Sequence, residues 1–519
     1  MSTPRVNTWE STSDPQTTDT PTTSWWHRID PLGPVLAVAA LAVFLVQGFD
    51  TILTRDLALY SYGAQQTIDG VPPYVSVLNR AGPLAHLVPA IGVAVARVVG
   101  MDEILGMRLL MMLISVACVW LLYLLTRDLF RSRLAGLASA SALLTFTGFV
   151  TYAVGGPREK TTLTLFVILA FLALSKQRWG LAGACVAMAT LTWQPSFITG
   201  LFAAAVTMAG LGRREMWPAA IRFCVGGLIP TALITAGFAL AGALSEFLEG
   251  FVLINQRYTR QGGFLADPLD TTSFLYGGFG PSLVLITAGL VAVIVLAALR
   301  RKVAFRNREP LDLALVGIGA GTVAGVLWSL AVLNGWADLV VLLPSAAVGV
   351  AAVAAEIQAR VPARVGVPIL ITWSVLCLVA GLIDSYDNRG HTLDQQRAEV
   401  AGMFAAVPPD ATVMSIGAPQ PLVLTDRTNP IRHQMFLTGL EHYVDDTYPG
   451  GLQGVADLIA DDEPTFVTVD HPDWYPWVTP TLEKEYVDVG TTPGDFTWYV
   501  HRSVGQDVIR DLQKVTETS

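Results

Sequence analysis

Charge is scarce in this chain. Only 14% of its 519 residues are Asp, Glu, Lys or Arg, whereas 52% are apolar. Apolar runs of that extent must face something other than water, which makes the chain a polytopic membrane protein. Cysteine is nearly absent. The four residues Cys118, Cys185, Cys224 and Cys377 all fall inside apolar runs. That excludes a disulfide framework and a zinc pattern. There is no P-loop, so nucleotide-driven transport is not expected. Gly317-Ile318-Gly319-Ala320-Gly321 imitates a nucleotide loop but lies in an apolar run, where small residues serve helix packing. His442 with Asp445 and Asp446 lacks helical ligand spacing and reads as a solvated loop. No cofactor is expected, a divalent metal is not indicated, and no nucleic-acid partner is expected.

Residues 1–33 contain a Ser-, Thr- and Pro-rich stretch that reads as a disordered cytosolic tail. It is not a signal peptide, because the apolar run begins too late and no small-residue cleavage pattern precedes it. Hydropathy then gives roughly eleven spans. They fall near 34–54, 104–125, 133–153, 161–175, 178–193, 196–211, 218–245, 281–299, 311–333, 336–355 and 363–383. Trp193-Gln194-Pro195 interrupts the middle group, since proline ends or kinks a helix. With a cytosolic N-terminus every inner loop is basic, from Arg127, Arg131 and Arg133 to Arg360 and Arg364. The odd count puts the C-terminus outside.

Residues 384–519 differ. They hold 22 acidic and 8 basic residues, a net charge of −14, against +5 for the remainder. The expected plan is therefore a transmembrane module over 34–383 followed by an acidic extracytoplasmic domain over 384–519. That domain reads as a small α/β unit. Helices are expected at 393–406 and 450–459, and strands at 411–416, 465–469 and 496–500.

Two acids stand at outer span ends, Asp56 and Glu159. An ionisable carboxylate at a membrane surface is costly unless it has a partner or a task. Asp56 can pair with Arg55 for folding alone, or act as a base. Arg158, Glu159 and Lys160 are either a helix-start charge cluster or a phosphate site. The first outer loop, 50–103, is too long and polar for a turn. Its stretch 84–99 reads as a helix lying at the interface. In the second long loop, Asn255 to Gly263 with Arg257 is either a clamp or a tether for the outer domain.

The order of these motifs resembles the first outer loop of GT-C glycosyltransferases. The motifs are Arg55-Asp56 with Tyr60 four residues on, Gly70 to Tyr74 as Gly-x-x-Pro-Tyr, and Gly82-Pro83-Leu84. The pattern is similar to the protein-mannosyltransferase and aminoarabinose-transferase types, most of all to prokaryotic dolichyl-phosphate-mannose mannosyltransferases. The resemblance covers about residues 34–380. It implies an integral membrane enzyme that takes a sugar, mannose as the first expectation, from a polyprenyl- or dolichyl-phosphate carrier. The acceptor would be a glycan, lipid or protein outside the cytosol, and transfer a single inverting displacement. Asp56 would be the catalytic base. Arg80, Arg158, Lys160 and Arg257 would bind the donor phosphate. Tyr60, Tyr74, Glu159, Trp193 and Gln194 would line the substrate pocket. Two departures stand out. Leu57 follows Asp56 where many relatives have an acid. Ala81 replaces the lysine usual before Gly-Pro-Leu, with Arg80 beside it; a guanidinium also binds phosphate well. A same-fold enzyme using an arabinosyl donor and a lipid-linked-sugar transporter are the alternatives.

Overall fold

The computed structural model describes residues 30–258, 267–333, 335–492 and 494–517. The expected tail lies outside them up to residue 29, as do residues 259–263 of the second long loop. Apolar runs set the helices, and several of them end at Gly, as at Gly48, Gly100 and Gly280. α1 (Leu32–Gln47) stops because Gly48 takes a left-handed φ of 76°. The chain then runs without helix to Thr54, so the first span is shorter than expected. α2 (Arg55–Ile68) and α3 (Leu84–Val99) belong to the first long loop. α3 forms where an interface helix is expected, and it leaves the apolar residues Ile91, Val95 and Val98 exposed.

α4 (Glu103–Phe130) begins at Asp102, whose side chain accepts the Leu105 N–H. α5 (Arg133–Leu143) and α6 (Thr147–Val154) meet at a bend of 68°. α7 (Glu159–Ser175), α8 (Trp179–Thr192), α9 (Ser196–Ala209) and α10 (Arg213–Leu240) follow, with Trp193 to Pro195 breaking α8 from α9. The short α11 (Leu244–Leu248) and α12 (Ile254–Arg257) and then α13 (Pro268–Phe279) occupy the second long loop. α14 (Ser282–Asn307) and α15 (Pro310–Ala331) precede a 3₁₀ turn, Trp336–Leu342, and then α16 (Leu343–Arg360) and α17 (Ala363–Asp387). Gly317 and Gly321 face α9, where a Cβ on Gly321 would lie 2.4 Å from the Thr199 carbonyl oxygen, and Gly319 faces α14 at Ala297. These glycines serve close helix contact.

Each expected span has a helix at its place, but length sets a lower count. Six helical stretches among the described residues are long and apolar enough to cross a membrane alone, or seven if the bent pair is one span. α1, α7, α8 and α9 have 16, 17, 14 and 14 residues. At 1.5 Å per residue they reach roughly 21–26 Å, short of a hydrocarbon core of about 30 Å.

The loops gather at two opposite ends. At one end Arg127 and Arg133 both reach Asp30, at 3.4 and 2.9 Å, and Lys176 reaches Asp128 at 3.5 Å. Arg131 pairs with Glu309 there. At the other end lie α2, the α6–α7 and α8–α9 junctions, the 3₁₀ turn and the C-terminal domain. That domain is a four-stranded sheet in the order β1-β2-β4-β3. β1 (Val413–Ile416) and β2 (Phe466–Asp470) are parallel, and β4 (Phe496–His501) runs antiparallel to β2 and β3 (Tyr486–Thr492). Its helices are α18 (Thr392–Ala405), α19 (Gln420–Thr425), α20 (Leu440–Thr447), α21 (Gly451–Asp462), α22 (Thr479–Glu485) and α23 (Gln506–Glu517). The three expected strands and two expected helices are present. β3 is absent from the sequence reading because a bulge at Asp488–Gly490 breaks its alternation.

Candidate active site

α2 begins at Arg55, so Asp56 sits in its first turn. α7 begins at Glu159, with Arg158 as its flanking residue. Both acids therefore stand at helix N-termini, where the macrodipole favours negative charge. The two helix starts face each other. Asp56 Oδ2 lies 2.8 Å from Arg158 Nη1, and Asp56 Oδ1 lies 3.3 Å from Arg55 Nε. Burial pushes the Asp56 carboxyl up, but the Arg158 and Arg55 charges outweigh it and hold it below the usual carboxylate range. The ion chain continues inward. Glu159 Oε1 meets Lys160 Nζ at 3.1 Å, and Lys160 meets Asp338 Oδ1 at 3.1 Å. Tyr60 of α2 lies beside Glu159.

A cavity of about 810 Å³ opens over this chain. Its charged wall is Arg55, Asp56, Arg158, Glu159 and Asp338, and Arg80 and Arg257 stand on its rim loops. Its lining also carries apolar and aromatic side chains, Trp193, Ile198, Phe274, Trp328 and Trp336. Met435, Leu437 and Thr438 of the C-terminal domain close one side.

The loop before α3 is clamped in place. Gly82 donates its N–H to the Thr192 carbonyl at 3.0 Å. A Cβ there would lie 2.0 Å from the Leu191 carbonyl oxygen, so only glycine lets the Gly-Pro-Leu segment dock on the end of α8. The Arg80 carbonyl accepts from Gln194 Nε2 at 2.8 Å and from Asn255 Nδ2 at 3.0 Å. The Arg80 guanidinium donates to the Tyr258 carbonyl at 3.2 Å and to that of Thr438. Its Nε is buried without a partner.

Of the residues singled out from sequence, Asp56, Arg80, Arg158, Glu159, Arg257, Tyr60, Trp193 and Gln194 meet around this one cavity. Two do not. Tyr74 is fully buried among Phe238 and Phe247, and its hydroxyl donates to the Ala81 carbonyl at 2.7 Å. It shapes the loop and does not touch the cavity. Lys160 is 1% exposed, lies between Glu159 and Asp338, and stands 3.6 Å over the Trp193 ring. Its charge is spent on two carboxylates, so it does not present a cation to the cavity. Sequence reading missed Asp338, Trp336 and Tyr152. Tyr152 and Trp336 stack at 5.5 Å, and Arg158 lies 5.1 Å over Tyr152. Asp338 carries the signal that picked out Asp56, an acid at the outer end of a span. Among the described residues no group of three or more His, Cys, Asp and Glu is placed to hold a metal ion.

A family model described as dolichyl-phosphate-mannose-protein mannosyltransferase matches residues 82–237. No curated protein matches the chain by sequence. Among solved structures, ArnT from Cupriavidus metallidurans in the apo state aligns with a TM-score of 0.60 at 13% identity, covering 94% of this chain and 98% of that one. The same protein bound to undecaprenyl phosphate aligns at 0.59 and 15% identity, covering 92% and 99%. Fold and family match define the class. The protein is a polytopic membrane glycosyltransferase of the GT-C fold. Within that class it resembles the protein-mannosyltransferase and ArnT types.

Proposed function

We propose that the enzyme moves a sugar from a polyprenyl-phosphate carrier to an acceptor hydroxyl outside the cytosol, by one inverting displacement. Mannose is the first candidate, in line with the description of the matching family model. The carrier class is supported by the similar fold of a protein solved with undecaprenyl phosphate. The observation that carries the reading is the Asp56–Arg158 pair at a cavity lined by both charged and apolar side chains.

The chemistry assigns the parts. The acceptor hydroxyl must lose its proton as it attacks the anomeric carbon. Of the three carboxylates that line the cavity, Asp56 is the most exposed, its side chain at 29% against 5% for Glu159 and 13% for Asp338. The departing phosphate gains charge as the glycosidic bond breaks, and fixed cations lower that barrier. Arg80 fits this role, because its hydrogen bonds go to carbonyl oxygens and leave its charge uncancelled. Arg158 and Arg257 line the same space. The apolar lining residues Ile198, Phe274 and Trp328 suit the first isoprene units of the carrier. No metal is assigned a role, since the site carboxylates are already paired with arginine and lysine.

The test is transfer from radiolabelled polyprenyl-phosphate-mannose in membranes, set against the arabinosyl analogue, with and without EDTA. Mannose transfer unaffected by EDTA is expected. Preference for the arabinosyl donor would reassign the sugar. Transfer of neither sugar, with the lipid moved across vesicles, would replace the enzyme reading by transport.

A further inference from the structure

The C-terminal domain reaches the candidate base through a buried carboxylate. β2 ends at Asp470, which is 3% exposed. Its Oδ2 lies 2.7 Å from Arg55 Nη1, and its Oδ1 lies 2.8 Å from His471 Nδ1. His471 takes a left-handed φ of 46°. Its ring stacks on Trp474 at 4.1 Å. A non-glycine residue in that region is strained and persists only where its surroundings hold it. Trp474 of the same turn lies against the Arg55 guanidinium, 5.8 Å from ring centroid to Cζ.

Arg55 is thus shared. Its shorter bond goes to Asp470, and its Nε reaches Asp56 Oδ1 at 3.3 Å. The other Asp56 oxygen is held by Arg158. Two arginines on two oxygens fix the plane of the carboxylate. One of those arginines is anchored from a different domain, 415 residues away in sequence.

We propose that Asp470 is a positioning residue for transfer, holding Arg55 so that the Asp56 carboxylate keeps its aim at the acceptor hydroxyl. This rests on the reading of Asp56 as the base. A base displaced by about 1 Å can cost on the order of 10²-fold in rate. The C-terminal domain is then part of the catalytic unit as well as a wall of the cavity.

The test is a double-mutant cycle in the full-length protein, with Asp470→Asn, Arg55→Gln and both together. Asp470→Asn is isosteric, and thermal unfolding of each variant reports folding separately. The expected result is a fall of about tenfold or more in kcat for each single variant, with the donor KM within about twofold of wild type. The double variant should lose no more than Arg55→Gln alone, because both act through one contact. Three outcomes would overturn the proposal: wild-type kcat in Asp470→Asn, a rise in KM at constant kcat, or equal losses for Asp470→Asn in the wild-type and Arg55→Gln backgrounds. Asp56→Asn run in parallel separates the two readings. If it turns over normally, the base assignment fails. If it is dead while Asp470→Asn is normal, only the positioning role fails.

Discussion

Asp56 holds its charge against burial because two guanidiniums stand on its two oxygens. Asp56→Asn keeps the shape and removes the proton acceptor. Transfer is expected to fall about 10²–10⁴-fold with folding and membrane insertion intact. Near wild-type turnover by well-folded protein would sink the assignment. The pH dependence follows from the same pair. The carboxyl lies below its ordinary range, so activity that needs the ionised base persists down to acid pH. Arg158→Ala removes the largest cationic support, which raises the Asp56 pKa and moves the acid limb of the rate profile to higher pH. A limb that stays in place would separate Arg158 from the base. Arg80→Ala is expected to lower transfer by about 10²-fold, the usual scale for one lost donor to a developing anion. Parallel expression and turnover measurements check it. Normal turnover would move the phosphate site toward Arg257.

At the scale of elements, the site is a meeting of helix starts. α2 and α7 point their N-termini at one cavity, and the Trp193 to Pro195 break supplies Gln194 to clasp the Arg80 loop. A second element is the segment 426–439 of the C-terminal domain, which docks on the first long loop through Arg432 O and Leu78 N at 2.8 Å. His433 lies buried within it, beside Tyr443 and Tyr448 and with neither ring nitrogen hydrogen-bonded. Burial, with the Arg432 charge, lowers its pKa to about 4. The unfolded chain binds a proton near pH 6.5 that the folded segment refuses. Stability is therefore full above about pH 6.5 and is lost as pH falls toward 4. His433→Phe should remove that loss, a gain of ~2 kcal/mol at pH 5 relative to its effect at pH 8. Thermal unfolding at the two pH values decides it; equal shifts at both would mean the ring is not a buried neutral imidazole.

Across the whole molecule, the basic loops and the site lie at opposite ends of the bundle. If the basic end is cytosolic, the site and the C-terminal domain face outward. Thr491 is exposed on that domain whereas Ser415 is buried in β1. A cysteine at 491 should react with an impermeant maleimide in intact cells or spheroplasts. Labelling only after permeabilisation would invert the topology.

Hydropathy and helix punctuation are local properties, so the positions of the long helices, the break at Pro195 and the polar first loop were legible in the sequence alone. So were Asp56, Glu159 and Arg158, because a charge at the end of an apolar run is conspicuous wherever the chain goes next. What a charge faces is not local. Lys160 and Arg158 are two residues apart in one motif, yet one is sealed between Glu159 and Asp338 and the other borders the cavity. Tyr74 matched a motif and turned out to be core. Asp338, Trp336 and Asp470 joined the site only through packing, since their partners lie 178 residues away for Asp338 and 415 for Asp470. The sequence by itself determined a membrane glycosyltransferase plan with an acid in its first long loop. Only the tertiary structure decided which charges cancel one another and which remain to meet a substrate, because burial and pairing are set by the elements that come together.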